Sequence, residues 1–537
     1  MAASKLEPPY YPIIYVRGYA GTESEVEDTV ADPYMGFNLG STRVRTLYTG
    51  EVQRYYFESP VVRLMKEFEY RDVYSAGLNI PDAEAPVPGS VDPKSIVIYR
   101  YYDLVSQTFG HDEQVRMEQF GEGLSRLILR LRDQVCGPGI DRAQFKVYLV
   151  GHSMGGLVIR CFLQNDNVGT AEAKRLVDKV FSYATPHNGI EFEIVGNVPS
   201  FFTRNSADNF ARPRMCEYLG LAPNTDPVNT LNGKFDINRF FCLVGTNPKD
   251  YLVASGWSAR VVGPFSDGLV RTKNAVLFGP NDDPNDPDNP TRMAPRAYIF
   301  RSHSGYYGIV NSEEGYQNLT RFLFGDVRVD GVLEIRSLSL PPELDAKRAS
   351  GSHVRASYHF ECITRVRGVL WDLSRRVANE NSAVFRTYGE LFPNDAVDGD
   401  TPHRNRPQMF TAYLNADARV TKNRASLGFS LDLGVLVPEY MVDGIFWAKD
   451  HFAGGYLYRE KINLEAIPPD TDGSWTLRYG IDSRTPNRAT QEAERVQKGG
   501  ALEFRIPVVQ KSRPGIDATL VLTARSWNDD TVARPVA

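Results

Sequence analysis

Residues 151–156 read Gly-His-Ser-Met-Gly-Gly, directly after the apolar run FKVYLV (145–150) and directly before LVIRCF (157–162). A Gly-x-Ser-x-Gly pattern between a buried strand and a helix places its serine on a very tight turn. A side chain at Gly151 or Gly155 would collide with the neighbouring strand or helix. The turn strains the backbone of Ser153 and lifts its Oγ to a helix N-terminus. There the N–H of Met154 and the helix dipole favour a developing oxyanion. The pattern points to a serine nucleophile; a serine in an ordinary glycine-rich turn would lack the flanking strand and helix.

The rhythm on either side of this motif is that of a parallel sheet covered by helices. Short apolar runs at 12–16 (PIIYV), 95–99 (SIVIY), 145–150, 179–184 (KVFSYA), 240–244 (FFCLV) and 297–300 (AYIF) read as strands. Phe120, Leu124, Leu127, Ile128, Leu131 and Val135 fall on one face of a helix. Tyr316, Leu319 and Leu323 mark a shorter helix. Beyond about Asp326 the period becomes two: Tyr358, Phe360, Cys362; Leu427 to Val435; Trp475 to Ile481; Leu502 to Val508. This predicts an antiparallel β-sandwich, with 340–351 (LPPELDAKRASG) as a connecting loop. The expected division is 1–325 for the α/β part and 327–537 for the sandwich, in keeping with 537 residues.

A net charge of −5 with Lys and Arg interspersed among Asp and Glu leaves no electrostatic footprint for nucleic acid. Neither a leader-like N-terminus nor a run of ~20 apolar residues is present. The expected setting is therefore the cytoplasm, with leaderless secretion as the variant. Five scattered cysteines without a C-x-x-C pair read as reduced, buried thiols.

Four stretches, PIIYVRGYAG (12–21), GHSMGG, ATPHNG (184–189) and the pair SDGLV (266–270) with SHSG (302–305), resemble the lipase and esterase branch of the α/β-hydrolases, including its GPI inositol-deacylase-like members. The C-terminal half resembles no family we can name. The resemblance implies an α/β-hydrolase fold and a Ser, acid, His chain order. Of eight histidines, His353, His359, His403 and His451 fall in the β half. His111 and His187 precede any eligible acid, and His152 belongs to the turn motif. His303 alone stands after the last strand of the first half and before its closing helix, where the base belongs. The acid must follow the strand FFCLV; Asp250 and Asp267 lead, with Asp282, Asp283, Asp286 and Asp288 behind them. The match of SDGLV to the family's acid loop selects Asp267. The resemblance also places the second oxyanion donor at the backbone N–H of Tyr19, beside that of Met154. Arg17 replaces the histidine usual in these relatives; a backbone donor survives that change and leaves Arg17 to pair with a nearby carboxylate. His187 reads as structural.

Residues 190–238 fall where this fold inserts a cap, and Phe192, Ile194, Val195, Val198, Phe201 and Phe202 would line an acyl pocket there. An ordinary packed insertion fits the same residues. The acidic segment 281–290 suits a solvated loop better than a Ca²⁺ site, so neither a metal nor a cofactor is expected. The chemistry expected is acyl transfer from a carboxylic ester or lipid to Ser153. A phospholipase in peripheral contact with a membrane, or a silent interaction protein on the same scaffold, are the alternatives.

Overall fold

The first strand, β1 (Ile13–Val16), is buried along its whole length. That is what a continuous apolar run requires, because both of its faces must be covered. It pairs in parallel on one side with β3 (Ser95–Tyr99) and on the other with β4 (Val147–His152). With β2 (Arg71–Asp72), β5 (Val177–Tyr183), β6 (Phe240–Gly245) and β7 (Arg296–Ile299) they form a seven-stranded sheet in the order β7-β6-β5-β4-β1-β3-β2. The structure, a computed structural model, describes residues 6–528 except 21–22, 48, 76–77, 80–85, 105–115, 191–207, 251–264, 280–291, 306, 353, 394–403, 416–425, 444–448, 468–474 and 499–500. Six of the seven strands coincide with the apolar runs; β2, two residues at the edge, leaves no period to detect.

Helix α1 (Met117–Val135) buries the predicted face and packs on α2 (Met154–Gln164). Helix α2 is buried all round, Arg160 included. Its guanidinium has no carboxylate and satisfies itself on four acceptors. Nη1 donates to His187 O (2.7 Å), Nη2 to Val228 O (2.7 Å) and Thr230 O (2.9 Å), and Nε to Gln164 Oε1 (2.7 Å). Burial pushes the Arg160 pKa down to about 10, which leaves it charged at neutral pH. Arg160 thus fastens the segments around 187 and 228–230 to the helix that carries Ser153. Helix α3 (Glu313–Phe324), capped by Ser312 (Oγ to Gly315 N, 2.9 Å), closes this half.

The remaining residues form two antiparallel sheets. Strands β8 (Val327–Ser339), β12 (Gln408–Leu414), β17 (Glu494–Lys498), β18 (Ala501–Gln510) and β19 (Gly515–Ser526) lie in the order β12-β8-β19-β18-β17. The other sheet has β9 (Val354–Val366), β10 (Ser374–Arg376), β11 (Val384–Thr387), β13 (Leu427–Asp443), β14 (Lys449–Ile467), β15 (Thr476–Ile481) and β16 (Gln491–Glu492). Its order is β10-β9-β13-β14-β15-β16, with β11 also on β9. In β9 every second residue is buried, and Val329, Ile506 and Leu520 of one sheet share a core with Phe360, Leu431 and Ile462 of the other. The fold is an α/β-hydrolase sheet followed by an antiparallel sandwich. Tyr413 and Trp527 depart from this division by packing into the first core. All five cysteines are buried and unpaired.

One expectation fails. The stretch 340–351 is not a loop throughout, since Pro342–Ala349 form helix α4. Proline at the first helical position is pre-organised for the turn, and Glu343 to Ala349 are mostly good helix formers. Only Leu344 of α4 is buried, so no apolar period announced it.

Replacing Arg160 by Met would leave two buried carbonyl oxygens, His187 O and Val228 O, without their donor, each costing about 1–3 kcal/mol, while Thr230 O keeps its bond from Gln164 Nε2 (2.9 Å). Urea denaturation of Arg160→Met should show a loss of at least ~2 kcal/mol; a loss near zero would mean that the 187 and 228–230 segments are held by other means.

Candidate active site

Ser153 sits between β4 and α2 with φ 51° and ψ −122°, a conformation that few non-glycine residues adopt. Its N–H donates to Tyr183 O (2.9 Å) and its carbonyl accepts from Gly156 N (3.1 Å). The glycines around it are clearances. A Cβ at Gly155 would lie 2.1 Å from Val16 O, and one at Gly151 would lie 2.7 Å from Gly156 N.

The two loops that meet this serine come from the far edge of the parallel sheet. His303 follows β7, and its Nε2 lies 2.9 Å from Ser153 Oγ. His303 Nδ1 lies 2.9 Å from Asp267 Oδ2, on the loop that follows β6. Asp267 Oδ1 accepts from Leu269 N (3.0 Å) and Val270 N (2.8 Å), which fixes the carboxylate. The His303 N–H donates to Asp267 O (2.9 Å), so main chain as well as side chain couples the loops. Ser153, Asp267 and His303 are 4%, 1% and 3% exposed. Hydrogen bonds among charged and polar groups are worth more in such a dry setting than in water.

Gly245 and two tyrosines support this arrangement and escaped the sequence reading. A Cβ at Gly245, the last residue of β6, would lie 2.8 Å from Asp267 Cβ and 2.7 Å from Arg301 O. Its lack of a side chain lets the two loops approach. Around Gly18, Tyr101 Oη donates to Arg17 O (2.7 Å), Tyr102 Oη donates to Gly18 O (3.0 Å), and Ala20 N donates to Tyr102 Oη (2.5 Å). A Cβ at Gly18 would lie 2.9 Å from Ser153 Cβ, so this loop runs against the serine. The only available signal was the pair Tyr101–Tyr102, one residue beyond SIVIY. Arg17 donates to the Thr29 hydroxyl and, among the described residues, pairs with no carboxylate. Met154 opens α2, at a position where an N–H has no intrahelical acceptor.

The other candidates lie elsewhere. Asp250 Oδ2 accepts from the Asn247 amide at 2.6 Å. His187 is buried with Nε2 3.1 Å from Ser182 Oγ. His152 Nε2 meets His303 O at 3.0 Å. Phe192, Ile194, Val195, Val198, Phe201 and Phe202, together with the acidic segment 281–290, fall outside the described residues, as do His111, His353 and His403. Among the described residues no group of three or more His, Cys, Asp or Glu has metal-holding geometry. No described helix is long and apolar enough to cross a membrane.

A parallel sheet with Ser153 on its strand–helix turn, and with the 267 and 303 loops after later strands, defines the α/β-hydrolase class. Residues 124–214 match the family model of the PGAP1-like alpha/beta domain, which bears out the resemblance. That match includes Ser153 and stops short of Asp267 and His303. Among solved structures, the putative cell surface hydrolase from Lactobacillus plantarum WCFS1 shares 14% identity over 51% of this chain and 84% of its own. Its TM-score of 0.19 is too low to carry a structural conclusion. No curated protein matches the chain.

Two of these histidines make stability pH-dependent. Burial, with a lesser contribution from His303, pushes the His152 pKa down from 6.5 to about 3. Burial, and then Arg160, push His187 well below 6.5. Folded pKa values below the unfolded ones mean that the unfolded chain alone takes up protons as pH falls through 6.5, so this stability is full above that pH and lost below it. From pH 7.5 to pH 5 the melting temperature should fall, with ~2 protons taken up on unfolding from these two groups. His187→Asn should remove about one of them. A wild-type melting temperature that is flat or rising on acidification would contradict this account.

Proposed function

We propose that the chain is a serine hydrolase that cleaves carboxylic esters through an acyl-enzyme on Ser153. The observation that carries this reading is the unbroken run of contacts from Ser153 Oγ through His303 to Asp267, both 2.9 Å long. A serine hydroxyl is a poor nucleophile until a base takes its proton, and a histidine held by a buried carboxylate is such a base. In this mechanism Ser153 Oγ attacks the ester carbonyl carbon while His303 Nε2 accepts the proton. Asp267 keeps the Nδ1 proton in place and offsets the charge of the imidazolium. The oxyanion is met by the N–H groups of Met154 and Tyr19, the latter on the loop held by Tyr101 and Tyr102. Collapse expels the alcohol with the proton from His303. Water then enters and the same residues hydrolyse the acyl-enzyme.

One observation favours a substrate presented in a lipid aggregate. Phe265 and Tyr307, 58% and 45% exposed, flank the segments that carry Asp267 and His303. Exposed aromatics beside a buried triad suit contact with an apolar surface. The substrate class proposed is therefore an ester with a substantial apolar part.

Ser153→Ala should lower ester hydrolysis by at least ~10⁴-fold with the fold intact, and abolish labelling by a fluorophosphonate probe. Asp267→Asn should cost ~10³–10⁴-fold in kcat, because the imidazole would be held in the wrong tautomer, while Asp250→Asn should change little. An alanine variant that keeps a tenth of the activity, or the reverse ranking of the two aspartates, would dismantle the assignment.

Tyr101→Phe removes the hydroxyl on Arg17 O without touching the serine. It should lower kcat by ~10-fold, a part of what loss of one oxyanion donor costs, with KM nearly unchanged. An effect confined to KM would mean that the loop serves binding alone.

A further inference from the structure

Arg321 lies in the last turn of α3 and is 5% exposed. Its guanidinium makes no hydrogen bond or ion pair with a described residue, and Nε is fully buried without a partner. Burial pushes its pKa down to about 10, with Glu313 opposing the shift, so the group is charged at neutral pH. An isolated buried charge is among the costliest things a fold can hold. Arg160 shows how this chain otherwise treats a buried guanidinium, with four acceptors arranged around it.

Arg321 borders a cavity of about 940 Å³ between α3, the start of β13, β14 and the segment before β16. Arg365, Arg367 and Arg488 also line it, against one carboxylate, Glu465. Arg365 is neutralised by Asp372 and Asp432, and Glu465 accepts from Ser426 Oγ at 2.7 Å. Arg367 and Arg488 make no side-chain hydrogen bond or ion pair with a described residue. Ser430 and Thr490 add hydroxyl donors to the wall. Ser153, Asp267 and His303 take no part in it.

We infer that this cavity is an anion-binding site, separate from Ser153, that takes a ligand bearing a phosphate group. Guanidinium forks match phosphate oxygens in geometry and charge. A single carboxylate would neutralise one of the three unpaired arginines, whereas a phosphate carries up to two charges and enough acceptor oxygens for all three. The volume is that of a small-molecule pocket. The phosphate belongs either to a soluble small molecule or to a lipid headgroup, two sources of one chemistry.

The full-length protein decides the matter by calorimetric titration with pyrophosphate and by cosedimentation with phosphatidylcholine vesicles, with and without phosphatidic acid. Binding of pyrophosphate with a Kd of ~1 mM or tighter, or sedimentation only with phosphatidic acid, is the expected result. The first outcome assigns a soluble ligand and the second a headgroup. Arg321→Gln and the exposed Arg367→Gln should each weaken the response ~10-fold. Arg321→Met adds a readout that a structural role would not give. Because a buried unpaired charge is removed, the ligand-free melting temperature should not fall, although binding is lost. Absence of both responses, or binding that survives the glutamine substitutions, would overturn the proposal.

Discussion

The candidate site depends on one turn, the strained backbone at Ser153. A non-glycine residue at φ 51° and ψ −122° is held against a cost of order 1–3 kcal/mol. What holds it is the packing of β4 and α2 around three glycines. Gly151, Gly155 and Gly156 lie so near Gly156 N, Val16 O and Thr185 Oγ1 that a methyl group at any of them would push strand and helix apart. The turn is therefore over-determined by close approach, and no flexible loop could present the same hydroxyl with its direction fixed. Because β4 is central in the sheet, β1 on one side and β5 on the other transmit this rigidity to the loops that meet the serine.

The acid and the histidine are positioned by a different device. Two loops are tied first to each other, through the His303 N–H on Asp267 O and through the imidazole on Oδ2. The 303 loop is then tied to the head of α3. Arg301 Nη2 pairs with Glu314 at 3.1 Å, and Arg43 pairs with the same carboxylate. Arg63 pairs with neighbouring Glu313. These are buried or partly buried pairs, in which the cost of desolvation offsets the attraction. Their geometric effect is clear: the first turn of α3 is clamped ten residues after His303, which limits how far the histidine loop can shift.

Much of this was legible in the residues. A sharp turn flanked by glycines, and buried strands that must be continuous apolar runs, are local constraints that print themselves on sequence. So are alternating sandwich strands such as β9. The structure brings together Ser153, Asp267 and His303 as chain order had suggested, whereas Asp250 turns to Asn247. What escaped has no local signature. Tyr101 and Tyr102 brace residues more than eighty positions earlier. Gly245 matters only because two distant loops cross beside it. Arg160 looks like an intruder in an apolar helix until its acceptors 27 to 70 positions away are seen. Helix α4 went unread because one buried leucine makes no period.

The two halves are coupled through α3 more closely than their different rhythms suggest. Its last turn presents Phe322 to Phe241 (5.3 Å between ring centroids) on the sheet side. The same ring meets Tyr413 of β12 (5.3 Å) and Trp527, just past the end of β19 (5.5 Å). Trp527 Nε1 donates to Phe322 O at 2.6 Å, and buried Lys179 of β5 donates to Leu323 O at 2.6 Å. The last carbonyls of a helix need donors, and here a strand of the parallel sheet and the residue after β19 supply them. Helix α3 is thus held at its head by the arginines that steady the His303 loop, and at its tail by the C-terminal half. About three turns of one helix therefore lie between the contacts of Trp527 and Tyr413 and the ion pairs at its head. The second half of the chain therefore packs on the tail of the same helix whose head is tied by ion pairs to the segment carrying His303.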